Sequence, residues 1–267
     1  MSASIHPSAF VDPGAKLGQG VTVGPCAVIE NNVIIGDGCS IGGFASIKEF
    51  TRMGGDNVIH SYAMVGNVPQ DLKFHGEESW LEMGDKNTVR EFATLHRGTE
   101  GGGGLTRIGS GNLFMAYTHV AHDCNLGDGI VMSNAATLAG HVQVGDSAII
   151  GGLSAVHQFA RIGRNSFVGG MTGIARDLPP FTLAIGERAG ISGLNLVGLR
   201  RLGVGMPTVN ALKKAFHTIW LSGLNKEEAL AQVEQEFSSI PEVMELVTFV
   251  RESPRGVLQA TVKENGE

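Results

Sequence analysis

Val23-Gly24-Pro25-Cys26-Ala27-Val28-Ile29-Glu30-Asn31-Asn32-Val33-Ile34-Ile35-Gly36-Asp37-Gly38-Cys39-Ser40-Ile41 decides the fold of this chain, because an aliphatic residue returns at every sixth position. The same step runs back through Leu17 and Val11 to Ile5, and forward through Ile47, Met53 and Ile59 to Val65. The position after it is often glycine (Gly18, Gly24, Gly36, Gly42), and the fifth position of each hexad is usually small (Ala9, Ala15, Ala27, Cys39, Ala45). A period of six is neither the 3.6 of a helical face nor the 3.5 of a coiled coil, and hexapeptide repeats of this kind indicate a parallel β-helix. Three hexads make one triangular coil, with the aliphatic residue inside and successive coils stacked at the usual strand spacing of about 4.8 Å.

The register breaks after Gly66, returns at Met83, Val89 and Leu95, breaks again, and resumes at Ile108 to run as far as Ile174. Two insertions, at about 67–82 and 97–107, must therefore loop out of the prism; the glycine run at 101–104 lacks a following Gly-Lys-Ser/Thr and reads as a flexible surface loop. Asp177-Leu178-Pro179-Pro180 ends the repeat, and an irregular link is expected to about Gly205. Val209, Leu212, Ala215, Phe216, Ile219 and Trp220 then mark a helical face stopping at Gly223. Asn225 opens a second helix and Pro241 a third. The division expected is a β-helix over 1–190 and a helical domain over 191–267 that caps it.

Composition narrows the function. Glycine supplies 39 of 267 residues without the three-residue period of collagen. The net charge of −6 is the wrong sign for nucleic acid, so any anionic ligand must meet a local basic cluster. Three cysteines fit a reducing compartment, and no apolar run is long enough to cross a bilayer. With no basic and apolar leader at Met1, the expected location is the cytoplasm.

The repeat converts sequence positions into spatial ones. Residues 18 apart stack, so His122 and Gly140 occupy one slot in successive coils, with His119, His141 and His157 within about two coils. A neutral histidine suits proton removal from a hydroxyl, and a backbone N–H at Gly140 could receive a developing oxyanion. Asp123 could fix the imidazole tautomer if a turn brings both side chains to one side. Cys124 falls on the small inward position and reads as packing, and no G-x-S-x-G occurs; direct acyl transfer without an acyl-enzyme is the chemistry described. The competing use of clustered histidines is a zinc site. Trimeric hexapeptide-repeat enzymes resembling carbonic anhydrase carry His-x-x-x-x-His, whereas this chain has His119-x-x-His122, so neither metal nor cofactor is expected.

Asn67-Val68-Pro69-Gln70-Asp71-Leu72-Lys73, Leu95-His96-Arg97-Gly98-Thr99, His119-Val120-Ala121-His122-Asp123-Cys124, Asn134-Ala135-Ala136-Thr137-Leu138-Ala139-Gly140-His141 and Ala155-Val156-His157-Gln158-Phe159 closely resemble the bacterial acyl-(acyl-carrier-protein):UDP-N-acetylglucosamine O-acyltransferases. The resemblance covers nearly the whole chain. It implies a mainly β protein, a left-handed parallel β-helix with a C-terminal α-helical domain, assembled as a homotrimer. It implies transfer of an (R)-3-hydroxyacyl chain from acyl carrier protein to the 3-hydroxyl of UDP-N-acetylglucosamine, the first step of lipid A biosynthesis. On the same ground His122 is the base, Asp123 its orienting partner and Gly140 the oxyanion donor. Gln70, Asp71, Lys73, His119, His141, His157 and Gln158 would line the sugar and acyl site between subunits, and Asn195 and Arg201 would approach the nucleotide.

The family's second arginine after Arg201 is Leu202 here, and its acidic residue near the uracil is Val197; Arg200 is a substitute charge. Gly170 matches the position where the family can stop the acyl chain, and a glycine there predicts a longer chain. Arg161, Arg164, Arg176, Arg200, Arg201, Lys213 and Lys214 are candidates for docking the acidic carrier. The alternatives are an N-acyltransferase acting on an acylated glucosamine, which would carry an extra N-terminal uridine-binding domain, and a non-catalytic scaffold, which would need no histidine cluster.

Overall fold

In the computed structural model, which describes residues 2–261, each hexad supplies a short strand, usually two residues long, and then a turn. The strands fall into three sheets of eleven, nine and eight strands, called A, B and C here, which form the walls of a triangular prism and are parallel throughout except for the last strand of A. One coil separates paired residues, as in Ser4↔Thr22 and Ile5↔Val23. The sixth-position residues Ile29, Ile35, Ile41 and Ile47 fill the interior, each burial contributing roughly 1.5–3 kcal/mol before the cost of chain ordering. Ala27, Cys39 and Ala45 share that interior.

Three asparagines replace the small residue further along. The Asn87 N–H donates to Asn57 Oδ1 at 2.8 Å, the Asn112 N–H to Asn87 Oδ1 at 2.9 Å and the Ile130 N–H to Asn112 Oδ1 at 2.7 Å. This internal ladder satisfies backbone donors that the prism would otherwise bury unpaired.

The turns correct a simple view of the glycine excess. Eighteen non-glycine residues, among them Cys26, Phe44, Tyr62, Asp123 and His141, hold the left-handed corner conformation. The repeat glycines answer a different need. A Cβ at Gly24, Gly36 or Gly42 would lie 2.5–2.7 Å from backbone atoms of the next coil, so glycine permits the coils to stack.

Both insertions leave the prism at the corner where sheet B passes to sheet C. The first lies between strands Met64–Asn67 and Trp80–Met83, the second between Thr94–His96 and Leu105–Ile108. Strand pairing thus reclaims residues 80–82 and 105–107, which the hexad register alone assigns to the loops. The step between paired residues rises from 18 to 30 across the first insertion and is 25 across the second.

The expected irregular link is instead ordered. Thr182–Ile185 and Gly190–Leu194 form an antiparallel hairpin turning at Gly186, whose φ is 105°, followed by helix α1 (Leu196–Arg201). Without hexad spacing the hairpin leaves no periodic trace in the sequence. Helices α2 (Met206–Leu221), α3 (Lys226–Phe237) and α4 (Pro241–Arg251) enclose a second core of Leu212, Leu230, Val243, Leu246 and Val247. Asn225 Oδ1 caps α3 by accepting from the Glu228 N–H at 2.9 Å. After α4 the chain returns to the prism, with bridges Asp177↔Val257 and Ile191↔Ala260.

Candidate active site

Asp123 stands at a B–C corner with φ 61°, and this left-handed turn brings its carboxylate to the side on which His122 projects. His122 Nδ1 lies 2.7 Å from Asp123 Oδ2, in a pair whose aspartate side chain is only 1% exposed. The carboxylate also accepts from the Thr99 N–H at 2.7 Å and the Thr99 hydroxyl at 2.6 Å. An ionised carboxylate held by three donors accepts the Nδ1 proton of a neutral imidazole, leaving Nε2 as the free base.

Thr99 belongs to the second insertion, so that segment is more than a surface loop. It turns through a short 3-10 helix, Glu100–Gly102, with Thr99 as N-cap, and Gly103 and Gly104 adopt positive φ. Gly102 sits against the Asp123 carboxylate, and any side chain there would collide with it. The roles of Thr99 and Gly102 escaped the sequence reading, because loops outside the register have no predictable neighbours.

One coil on, Gly140 faces the imidazole. A Cβ at this position would lie 2.6 Å from His122 Cε1 and 2.7 Å from Nε2, so only glycine leaves the ring its place. Among the described residues the Gly140 N–H has no hydrogen-bond acceptor, while its carbonyl accepts from the Phe159 N–H at 3.1 Å. A free donor and a free base therefore stand side by side.

The neighbouring imidazoles differ in environment. His119 on sheet B contacts the Thr94 hydroxyl through Nδ1 at 2.8 Å; burial, then the nearby His122, lowers its pKa. His141 stacks on Phe159 with centroids 4.4 Å apart, and its Nε2 is 3.6 Å from Asp123 Oδ2. Burial lowers the His141 pKa, partly opposed by the charges of Asp123 and Asp71. His96, 3% exposed, packs edge-on to His119 and contacts the Val68 carbonyl through Nδ1 at 2.7 Å. Its Nε2 has no partner among the described residues, and burial above all lowers its pKa to about 4. His96 and Arg97, whose guanidinium lies over Phe50 and Phe74, tie the first insertion to the prism.

That insertion carries Gln70, Asp71 and Lys73, with the Lys73 N–H donating to Asp71 Oδ1 at 3.0 Å. His157 and Gln158 lie exposed at the B–C corner, two coils beyond His122. Gly170 is elsewhere, following sheet A at the A–B corner, where a Cβ would meet open space apart from the Gly152 carbonyl at 3.5 Å. Asn195 and Arg201 line a cavity of about 430 Å³ on the outer face of sheet A, the wall opposite the His122 corner. The Asn195 side chain caps α1 and donates to the Asn165 carbonyl at 2.9 Å. The chain therefore gathers His119, His122, Asp123, Gly140 and His141, and leaves Gly170, Asn195 and Arg201 on other edges. Among the docking candidates, Arg164 is engaged by Glu245 at 2.8 Å and Arg161 lies over Phe249.

His122, Asp123 and His141 place three ligand atoms within 4.8 Å of one another, the raw material of a metal site. The carboxylate is already filled by Thr99 and His122, which argues for a hydrogen-bonded dyad. Burial pushes the Cys124 thiol up to about 12, so it is no thiolate nucleophile.

Comparison with known proteins finds relatives over nearly the whole chain. A family profile described as UDP N-acetylglucosamine O-acyltransferase, domain 2, matches residues 177–258, and a bacterial transferase hexapeptide profile matches 14–49. The chain is 48% identical over 255 residues to the acyl-(acyl-carrier-protein)–UDP-N-acetylglucosamine O-acyltransferase of Halorhodospira halophila, covering 96% of this chain and 99% of the relative. It is 44% identical to the enzyme of the same name from Thermodesulfovibrio yellowstonii, covering 95% and 98%. The crystal structure of the UDP-N-acetylglucosamine O-acyltransferase of Moraxella catarrhalis superposes with a TM-score of 0.93 at 40% identity, over 96% of this chain and 99% of that one. The prism is accordingly a left-handed parallel β-helix.

Proposed function

The chain belongs to the acyl-(acyl-carrier-protein):UDP-N-acetylglucosamine O-acyltransferase family, and from that premise we propose that His122 is the general base of a direct acyl transfer. The protein is an O-acyltransferase; its substrates are UDP-N-acetylglucosamine and an acylated acyl carrier protein, and its reaction opens lipid A biosynthesis. In this reading His122 Nε2 takes the proton of the sugar 3-hydroxyl as that oxygen attacks the thioester carbonyl. The Gly140 N–H stabilises the oxyanion, and Asp123 holds the imidazolium that forms. Collapse of the tetrahedral species breaks the carbon–sulfur bond, and the imidazolium returns its proton to the carrier thiol.

The observation that carries this reading is the contact between the His122 ring and Gly140, with the Gly140 N–H unengaged. The chemistry is complete without a protein nucleophile, a metal or a cofactor. An (R)-3-hydroxyacyl chain is the donor we assign, with Gly170 leaving room for a long one.

The working form we assign is a homotrimer in the cytoplasm. No described helix is long and apolar enough to cross a membrane. Phe44, Tyr62, Phe92 and Tyr117 stack along the A–B corner with centroids 5.0–5.2 Å apart and exposed faces, an apolar ridge suited to a second copy. Leu72, 99% exposed between Asp71 and Lys73, likewise suits a neighbouring subunit. A neighbour would also bring Asn195 and Arg201 toward His122, which one chain cannot do.

The test is to incubate the protein with UDP-N-acetylglucosamine and 3-hydroxyacyl carrier protein, with and without chelator. Activity should survive chelation and be lost in His122→Ala. Retained activity in that variant would overturn the base assignment.

A further inference from the structure

Arg97 stands at the corner from which both insertions leave, and it is 2% exposed. Its pairing is thin for a buried cation: Nη1 donates to the Glu49 carbonyl at 3.3 Å and to Glu49 Oε1 at 3.4 Å, and Nε has no partner among the described residues. Burying a guanidinium on such terms costs stability that a leucine or methionine would not. What arginine adds is a flat charged face, and two rings use it. The Phe50 centroid lies 5.0 Å from Cζ and the Phe74 centroid 5.5 Å. Phe50 belongs to the prism, directly before strand Thr51–Met53, whereas Phe74 belongs to the first insertion. One buried side chain therefore joins the two.

Phe74 closes a turn. Its N–H donates to the Asp71 carbonyl at 3.0 Å, the Lys73 N–H to Asp71 Oδ1 at 3.0 Å and the His75 N–H to Glu77 Oε2 at 2.8 Å. Among the described residues no hydrogen bond of residues 70–76 leaves the insertion, so the Phe74 ring on Arg97 is what fastens the turn to the prism. The turn faces the reacting corner, because the charge of Asp71 acts on the His141 imidazole, one residue from Gly140. Thr99, two residues beyond Arg97, is secured separately by its two bonds to Asp123. Loss of the Arg97 contact therefore frees the turn without withdrawing the support of His122.

We propose that Arg97 is a positioning residue for the sugar nucleotide: through the Phe74 ring it fixes the turn at residues 71–74 against the His141 corner, so that Asp71 and Lys73 meet the substrate already in place. The proposal rests on the acyltransferase reading above. It assigns Arg97 no contact with substrate; its effect passes through the turn, and it belongs to binding of one substrate and not to proton transfer.

The full chain is assayed with UDP-N-acetylglucosamine and (R)-3-hydroxyacyl carrier protein as wild type, Arg97→Lys, Phe74→Leu, the double variant and Phe74→Tyr, with thermal unfolding in parallel. A desolvated cation–π contact corresponds to roughly a tenfold change in affinity. KM for the sugar nucleotide should therefore rise about tenfold in Arg97→Lys and in Phe74→Leu, with kcat and the KM for the carrier within about threefold. The double variant should be no worse than the worse single, because both break one contact. Phe74→Tyr keeps the ring and should match wild type. So should Arg52→Lys, which takes an exposed guanidinium off Trp80 on the outer wall. Phe74 is half-buried and outside the prism, so its variants carry the test even where Arg97→Lys unfolds. An unchanged sugar KM in Phe74→Leu, additive losses in the double variant, or a fall confined to kcat would overturn the proposal. A wild type inactive with both substrates would instead refute the acyltransferase reading, and this proposal with it.

Discussion

Gly140→Ala is the most exacting test of the site, since it adds one methyl group and keeps the backbone N–H. The new Cβ would lie 2.6 Å from His122 Cε1 and 2.7 Å from Nε2, against ordinary contact beginning near 3.4 Å. The ring must therefore retreat by roughly 0.7–0.8 Å, because the packed coil behind residue 140 does not yield. It cannot retreat freely, since Nδ1 is held by Asp123 at 2.7 Å. A displacement near 1 Å of a reacting group costs about a hundredfold in rate, equivalent to roughly 2.7 kcal/mol in the barrier. We expect kcat with UDP-N-acetylglucosamine and acyl carrier protein to fall about a hundredfold. Residue 140 has no positive φ, so thermal unfolding should move little. A kcat within threefold of wild type would refute the placement of His122 and Gly140 around one reacting centre.

Thr99→Val removes a 2.6 Å donor to Asp123 while keeping the shape of the side chain. A hydrogen bond to a charged group contributes about 1.5–3 kcal/mol, so kcat should drop by one to two orders of magnitude with KM nearly unchanged, as steady-state kinetics would show. His96 is neutral in the fold with a pKa near 4 against the ordinary 6.5. Its contribution is complete above pH 6.5 and is lost as pH falls toward 4, because the unfolded chain binds the proton first; the loss amounts to roughly 3 kcal/mol. Urea unfolding between pH 7 and 4.5 should therefore lose stability faster in wild type than in His96→Gln, and equal slopes would contradict the assignment. Cys124→Ala should retain activity within about twofold, because a buried thiol raised to about 12 takes no part in the transfer; a large loss would point to an acyl-enzyme.

How far the molecule can be read from its sequence depends on whether a residue shares the repeat. The period of six placed Ile29, Ile35 and Ile41 inside, and its 18-residue step put His122 next to Gly140, because every coil repeats the same backbone geometry. Asp123 was the marginal case: in a flat strand it would face away from His122, and only its left-handed φ reverses that. Thr99 and Gly102 were illegible, since the second insertion has no register from which to count. The hairpin at Thr182–Ile185 and Gly190–Leu194 and the segment that returns after α4, with its bridges at Val257 and Ala260, were hidden for the same reason. The hairpin pairs locally but outside the hexad register, while the returning segment depends on contacts between residues 70 apart, such as Thr261 with Ile191.

The division of labour follows from the same physics. A stacked prism holds positions along its axis through uninterrupted backbone pairing, which suits it to fixing a base against a donor one coil away. Its flat walls, however, offer little concavity for a substrate. The two insertions supply part of what the repeat lacks, and both leave the prism at the B–C corner where Gly140 and His122 meet. Substitutions that move the His122 ring, whether from the repeat at Gly140 or from the second insertion at Thr99, should therefore act on kcat first.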